Sequence, residues 1–468
     1  MSGKDCEQLH SEYSNVRFGD ARISRRMRKI VSCVGAEPEL SLPKMFRKSS
    51  DLEGVYRFLN NDKVQSDAIL ASHRTETIAR CVSSDKTILI AHDGSEFSFP
   101  GNAERTGLGY LHGGRQGFVG HFSLALESGE SRNPLGVLGL RIFNREKHEV
   151  TPTDHEQSIN PDREHLCWSE QAMETDRLLQ ESGKKSGVHL MDREGGSFLT
   201  LARLLKNNVR FVIRLRTNQR NIQTDDGPVP MDTAYELATY RMQREVMLSA
   251  RPQGTGRHPA RKRRMTTLEI RTASIRLKRP GKLPKVQEPT ESLDLNVVFV
   301  REIDPPEGET ALLWCLATSE PLESGADAAF VVDAYRSRWL IEEYFKALKT
   351  GCSVEARQLE SFKALTTMLA ICIPVAWTML ALRTLAETSP HAPAEQILSK
   401  KQVETLRGLA SLHLGERLPT TLTAEKALIC IARLGGFILY NKTPGWQTLA
   451  RGFHELLSAE RLLAHMMG

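Results

Sequence analysis

The stretch Tyr335–Gly351, Y-R-S-R-W-L-I-E-E-Y-F-K-A-L-K-T-G, decides how the rest of the chain is read. Wound as one α-helix at about 100° per residue, it sets Tyr335, Arg338, Glu342 and Lys349 on a single narrow stripe. Leu340, Ile341 and Leu348 then turn away toward a core. An aromatic hydroxyl, a guanidinium, a carboxylate and an ammonium in line exceed what packing asks for. An exposed face with i,i+4 ion pairs would explain the charges but not the alignment.

Two more carboxylates stand out upstream. Asp93 closes the β-branched, apolar run T-I-L-I-A-H-D, and Asp192 closes G-V-H-L-M-D. Each is expected at the C-terminal end of a buried strand, fixed by a rigid element yet open to solvent, as a metal ligand needs to be. Taken singly, either is more often a turn or cap residue. Together with Glu342, and with no Cys or His set beside them, they define a hard-oxygen site that favours Mg²⁺, or Mn²⁺ in its place, over zinc. Two such ions, about 3.5–4 Å apart, suit a phosphodiester, one at the attacking oxygen and one at the departing oxygen. The Arg and Lys of the stripe can hold neighbouring phosphates.

Outward from these residues the pattern alternates. Residues 1–80 read as helical. G-F-V-G-H-F-S-L-A-L-E (Gly117–Glu127) and P-L-G-V-L-G-L-R-I-F (Pro134–Phe143) read as strands. A helix follows over roughly 169–181, then the strand ending at Asp192. L-A-R-L-L-K reads as a helix and R-F-V-I-R-L-R as a strand. Residues 225–320 alternate basic and apolar positions with Pro and Gly punctuation and read as mostly β. From Ala326 helices dominate. The apolar stretch Ala364–Leu382, which contains Pro374, reads as a buried helix: a membrane span needs about 20 mostly apolar residues and usually interfacial anchors.

A chain of 468 residues, 40% hydrophobic, has material for several domains. A net charge of +6 does not by itself point to nucleic acid, but its distribution does. Between Arg251 and Lys285 twelve lysines and arginines face one acid, Glu269, and the rest of the chain is net acidic. Arg261, Lys262, Arg263 and Arg264 run without interruption. A second basic cluster, Arg17, Arg22, Arg25, Arg26, Arg28 and Lys29, lies near the N-terminus. Concentrated charge of this kind suits a polyphosphate, although a solvated loop or helix face would carry it equally well. The eight cysteines show no C-x-x-C pair and no zinc spacing, and read as reduced residues of a cytosolic protein. The first residues carry no apolar segment of the signal-peptide kind.

The signature Y-x-x-R-W-x-x-E-x-x-x-x-x-x-K, with D-R-E at Asp192 and an Asp after a strand at 93, resembles the DDE transposases of the insertion-sequence-four family. E-G-V-Y-R-F around Tyr56, G-H-F-S-L-A-L-E around His121, T-S-E-P at Thr318 and I-A-R-L-G-G-F around Gly435 extend the resemblance over nearly the whole chain. It implies an α/β fold: a ribonuclease H-like catalytic core with a β-rich insertion, flanked by N-terminal and C-terminal helical domains. The boundaries expected are 1–80 for the helical DNA-binding domain, 81–224 for the first part of the core and 225–320 for the insertion. The core returns over 321–363 with the Glu342 helix, and a helical dimerisation domain takes 364–468.

The resemblance further implies that Asp93, Asp192 and Glu342 are catalytic metal ligands and that Tyr335, Arg338 and Lys349 assist at DNA phosphates. Arg214 and Arg216 fall at positions that contact transposon-end DNA, and Trp314 at the position that stacks a flipped base; an exposed strand face and a core aromatic are the plainer readings of these three. Arg193 and Glu194 complete the D-R-E motif. The partners implied are transposon-end duplex and target DNA, with a homodimer in the synaptic complex, no membrane and no nucleotide cofactor. Cut-and-paste transposition through a hairpin intermediate is the activity implied, in the bacterial cytoplasm and on the nucleoid. A catalytically silent DNA-binding regulator on the same fold, or a nuclease without strand transfer, are the rival readings. The sequence departs from the pattern where D-R-E continues as G-G-S, and the first 50 residues match loosely.

Overall fold

The computed structural model describes residues 11–145 except 37, 39, 102 and 112, and residues 166–248 except 185, 218, 219, 225 and 226. It further describes 262–438 except 282, 284, 286, 287, 308 and 310, and 443–466.

The helices α1 (Ala21–Ala36), α2 (Leu42–Met45), α3 (Ser49–Leu59) and α4 (Ser66–Ser83) come first, followed by strands β1 (Ile88–Ser98), β2 (Gly117–Glu127) and β3 (Pro134–Phe143). Next are α5 (Cys167–Glu181), β4 (Val188–Met191), α6 (Phe198–Lys206), β5 (Arg210–Arg214), β6 (Asn221–Thr224), β7 (Gly227–Pro230) and α7 (Ala234–Leu237). Four long or paired strands follow: β8 (Thr239–Leu248), β9 (Arg264–Lys278), β10 (Ser292–Ile303) and β11 (Leu313–Thr318). The chain ends in α8 (Gly325–Ser337), α9 (Leu340–Lys346), α10 (Phe362–Thr388), α11 (Lys400–Leu414), α12 (Ala424–Leu434) and α13 (Trp446–Met466). Starts are marked by side chains that satisfy orphan amides. Ser324 with Asp327 and Ser399 with Gln402 form capping boxes, and Ser197, Ser361 and Thr423 cap α6, α10 and α12.

This mixed α/β chain divides into two compact units. The first comprises Met1–Thr151, Glu181–Lys184 and Trp339–Gly468. Here β2 pairs antiparallel with both β1 and β3, with bulges on the β3 side only. The alternation of β1 and β2 puts Phe97, Phe118 and Phe122 on one face, where they pack on one another and on Phe362, Tyr344 and Phe345. Helix α10 is apolar all round and long enough to cross a membrane, yet 94% of its most apolar window is buried in the protein, which agrees with its reading as a core helix. Trp377 and Tyr344 each use their polar atom inside this core, on the carbonyls of Pro134 (2.8 Å) and Ile373 (3.3 Å).

The N-terminal helices are tied to the same core. Tyr13 donates to the Ile371 carbonyl at 2.5 Å, and the fully buried Glu12 takes both His73 and Arg80. Because the Val137 N–H donates to His73 Nε2 at 2.9 Å, the neutral ring carries its proton on Nδ1, facing Glu12. At the other end, α12 and α13 cross so closely that a Cβ built on Gly452 would overlap the Ile431 carbonyl, and one on Gly435 the Thr448 carbonyl.

The second unit comprises Pro152–Gln180 and Lys185–Arg338. Strand β4 runs parallel to β5; β5–β11, β11–β10 and β10–β9 are antiparallel. Strand β9 is long enough to pair on its other edge with β8 and, further on, with β6, which carries β7.

Candidate functional site

In the second unit, β4 is buried at all four positions and Asp192 follows it directly, as the sequence leads one to expect. Its Oδ1 accepts the Glu194 N–H at 2.8 Å, a local turn that steers the chain into Gly195 and Gly196 before Ser197 caps α6. The departure G-G-S has a steric cause. A Cβ on Gly195 would lie 2.7 Å from the Met191 Cβ, and one on Gly196 would lie 3.2 Å from the Arg214 carbonyl.

Around this turn stand arginines. Arg214 ends β5, half-buried, with Nη2 donating to the Leu313 carbonyl at 3.3 Å and its guanidinium 5.9 Å from the Trp314 ring centre. Burial, first, and then the like charge of Arg193 press its pKa down, while a hydrogen bond to Tyr335 and the charge of Asp192 work the other way. Tyr335, near the end of α8, is buried, and its ring meets that of Trp314 at 5.3 Å. Arg216 is exposed, just past the strand. The Glu194 carboxyl is raised above its ordinary range, by partial burial first and by Asp192 second, against the pull of Arg216 and Arg338. Arg220 holds the Gly196 carbonyl at 2.5 Å. Asp192, Arg193, Glu194, Arg214, Arg216, Trp314, Tyr335 and Arg338 are thus one neighbourhood. Nothing in the sequence around Arg220 sets it apart, so its part in the turn emerges only from the fold.

In the first unit, the structure corrects the position of Asp93. It is not the end of a strand: β1 continues five residues beyond it to Ser98, and it is the unbroken run of buried residues, not the strand, that stops there. Asp93 faces Phe122 across the β1–β2 ladder, so it shares the side of the sheet on which Phe122 packs against Tyr344 and Phe345 of α9. Glu342 lies on that same helix, half-exposed, one turn before Phe345. Asp93 and Glu342 therefore belong to one side of the β1–β2 ladder.

The stripe of Tyr335, Arg338, Glu342 and Lys349 is not one helix. Hydrogen bonding breaks at Arg338–Trp339, between α8 and α9, although both residues keep helical angles. After Lys346 comes a π-helical turn, Ala347–Gly351. Tyr335 and Arg338 fall in the second unit and Glu342 and Lys349 in the first. Lys349 is also partly engaged: Nζ donates to the Glu96 carbonyl and lies 3.8 Å from Glu355. At the break, Trp339 is 58% exposed, with Lys346 Nζ 5.6 Å over its ring. The R-W pair within the signature is the sequence signal that marks this exposed Trp, which the stripe of polar residues overshadows.

The basic run is corrected in part. Arg261 lies outside the described residues. Lys262 and Arg263 are exposed. Arg264 is enclosed by Glu302 and by Glu309, the latter at 3.0 Å, with 17% of its side chain open, so it is committed to an internal pair. Further along, Arg271 pairs with Glu269, Arg276 with Asp294, and Arg279 and Lys285 with Glu291. Strand β10 and its approach bring acids to the basic strand that the sequence window did not include. Among the described residues, no three His, Cys, Asp or Glu side chains cluster closely enough to hold a metal ion. The described cysteines are all unpaired and buried.

Two families match this chain: the transposase DNA-binding family over residues 5–64, and the transposase DDE domain family over residues 170–377. The second match spans Asp192, Trp314, Tyr335 and Glu342; Asp93 lies outside both. Among solved structures, the chain is similar to the piggyBac transposase synaptic complex with hairpin DNA, at 11% identity and a TM-score of 0.37, over 97% of this chain and 79% of that one.

Proposed function

This chain carries a transposase DNA-binding domain and a transposase DDE domain, and from that premise we propose that it is a cut-and-paste DNA transposase of the insertion-sequence-four family, near the transposase of transposon five. The observation that carries the reading is the DDE-domain match across Asp192 and Glu342, where aromatic rings and arginines surround one carboxylate turn. The core is read as ribonuclease H-like with a β insertion.

Asp93, Asp192 and Glu342 are the residues that would hold divalent cations. An all-carboxylate donor set fits Mg²⁺, or Mn²⁺ in its place, and two such ions would lower the cost of charge on attacking and departing phosphodiester oxygens. The chain's own groups do the rest. Arg214, Arg216 and Arg338 hold phosphates near the scissile bond, and Lys349, released from Glu96, is the fourth cation. Trp314, carried on the edge of Tyr335, offers a base a face to stack on when the transposon end is bent into a hairpin. Water frees a 3′-hydroxyl at each end, that hydroxyl attacks the opposite strand, and the reopened hairpin's 3′-hydroxyl attacks target DNA. The exposed Arg22, Arg25 and Arg28 of α1, together with Lys262 and Arg263, supply sequence-independent phosphate affinity. The working form is a homodimer holding two ends, acting in the bacterial cytoplasm on nucleoid DNA.

The test is a denaturing gel of full-length protein with a duplex carrying the inverted repeats that flank its gene, a target plasmid and Mg²⁺. Nick, hairpin and joined product in sequence are expected. End binding with no product would make the chain a regulator, and nicks without joining would make it a nuclease.

A further inference from the structure

Helix α9 is only seven residues long, interrupted before Leu340 and passing into a π-helical turn after Lys346. So short a segment does not hold its own rotation about its axis; tertiary contacts must. One side is fixed by Ile341, Tyr344 and Phe345, all buried. The other side is fixed through Glu343. Its Oε2 accepts the indole N–H of Trp446 at 3.2 Å, and its Oε1 accepts from Lys346 at 2.7 Å.

Trp446 is well placed to act as a fixed post. It is the first residue of α13, 7% exposed, and the Arg383 guanidinium of α10 lies 4.6 Å over its ring. Arg383 is held in turn by Glu387 at 3.0 Å and the Pro444 carbonyl at 3.4 Å. The bond therefore joins the residue beside Glu342 to two long helices, α10 and α13. Glu343 follows Glu342 at about 100° around the helix, so any rotation that swings Glu342 also breaks the bond to Trp446.

We infer that Trp446 is a positioning residue, which through its hydrogen bond to Glu343 sets the angle at which α9 presents Glu342. The inference rests on the metal-holding role proposed for Glu342. It assigns to the last helix a part in cleavage, in addition to packing.

The test compares Trp446→Phe, which keeps a ring beneath Arg383 and removes the N–H together with part of the indole's bulk, with Glu343→Leu, which removes the acceptor alone, with Glu343→Gln and with the Trp446→Phe/Glu343→Leu pair. All are made in the full chain and assayed on the flanking-repeat duplex. We expect Trp446→Phe to slow single-turnover nicking roughly tenfold, the value of one hydrogen bond to a charged group, and to raise half-saturating Mn²⁺ by a similar factor. Affinity for end DNA should stay as in wild type, and the fall in melting temperature from the smaller ring should come without faster exchange in α10. Glu343→Gln, whose amide oxygen still accepts the N–H, should be close to wild type, and the double variant no worse than either single loss. Amide exchange over 340–346 should quicken in Trp446→Phe while that over 362–388 does not.

Unchanged nicking and metal dependence in Trp446→Phe would overturn the inference. So would unchanged exchange over 340–346, or a loss of melting temperature with exchange rising throughout α10. If wild type itself fails to nick, the transposase reading fails, and the exchange comparison still decides whether Trp446 sets α9.

Discussion

Trp314 and Tyr335 meet edge to face, their ring centroids 5.3 Å apart and their planes at 68°. Tyr335 is buried, so the indole rests on a fixed neighbour while its own ring is only half-buried. Stacking of a base on an aromatic face contributes about 1–3 kcal/mol. Trp314→Ala should therefore keep first-strand nicking and slow hairpin formation by roughly ten- to a hundredfold. Tyr335→Phe keeps the edge contact and should form hairpins nearly as wild type. A duplex abasic at the flipped position should partly rescue Trp314→Ala. Loss of nicking and hairpin together would instead mark Trp314 as a packing residue.

For the carboxylates, Asp93→Asn, Asp192→Asn and Glu342→Gln should each abolish cleavage in Mg²⁺ and leave end binding largely intact. Binding rests on phosphate contacts made elsewhere. The two measurements are a denaturing gel and a mobility shift on the same duplex. Near-wild-type nicking by any one variant removes that residue from the set.

The basic run should split in two. Lys262→Ala with Arg263→Ala is expected to flatten the dependence of log affinity on log salt by about 0.9 for each phosphate no longer neutralised. Arg264→Ala should leave that slope alone and destabilise the fold by about 3 kcal/mol, because it leaves Glu302 buried without its cation. A change of slope with Arg264→Ala would show that the internal pair opens to reach DNA.

That pair also has a pH signature. Burial raises the Glu302 pKa, but Arg264, the Leu312 N–H and the Thr266 hydroxyl together carry it below its ordinary value of 4.5. A depressed folded-state value stabilises the protein above the unfolded-state pKa, and that contribution is lost as pH falls through the folded one. The stability gap between wild type and Glu302→Gln, read by urea melts, should be full at neutral pH and shrink below about pH 4.5. A gap independent of pH would mean the carboxylate is not ionised in the fold.

At the crossing of α12 and α13, Gly452→Ala must push the two backbones apart, since the obstructing atom is the Ile431 carbonyl. Overpacking of this sort costs about 1–3 kcal/mol even where side chains alone must yield. A clear drop in melting temperature is expected, larger than for Gly408→Ala, where nothing lies within contact distance. Equal melting temperatures would mean that the crossing is loose in solution.

Much of this is legible from residues alone. Strands β2 and β3 have the bounds that their alternation proposes, and the buried run before Asp192 ends where expected. The differences have physical causes. Strand β1 outlasts its apolar signal because Gly94–Ser98 keep pairing with β2 after one face opens to solvent. A stripe at 100° per residue assumes unbroken α-helix, and neither the gap at Arg338–Trp339 nor the π-helical turn leaves a mark on hydrophobic period. The basic window misjudges local charge because antiparallel pairing brings Asp294 and Glu302 beside β9 from some 20–40 residues away.

The π-helical turn at Ala347–Gly351 inserts slack where a uniform helix would have none. In an α-helix the bearing of Lys349 is dictated by that of Glu342 through a fixed rotation. Five residues wound more loosely cancel that rule, so the lysine is aimed at Glu96 while the glutamate is aimed by its own supports. The two side chains can then be adjusted by mutation one at a time. A single-residue deletion that turned the segment back into α-helix would restore the dependence.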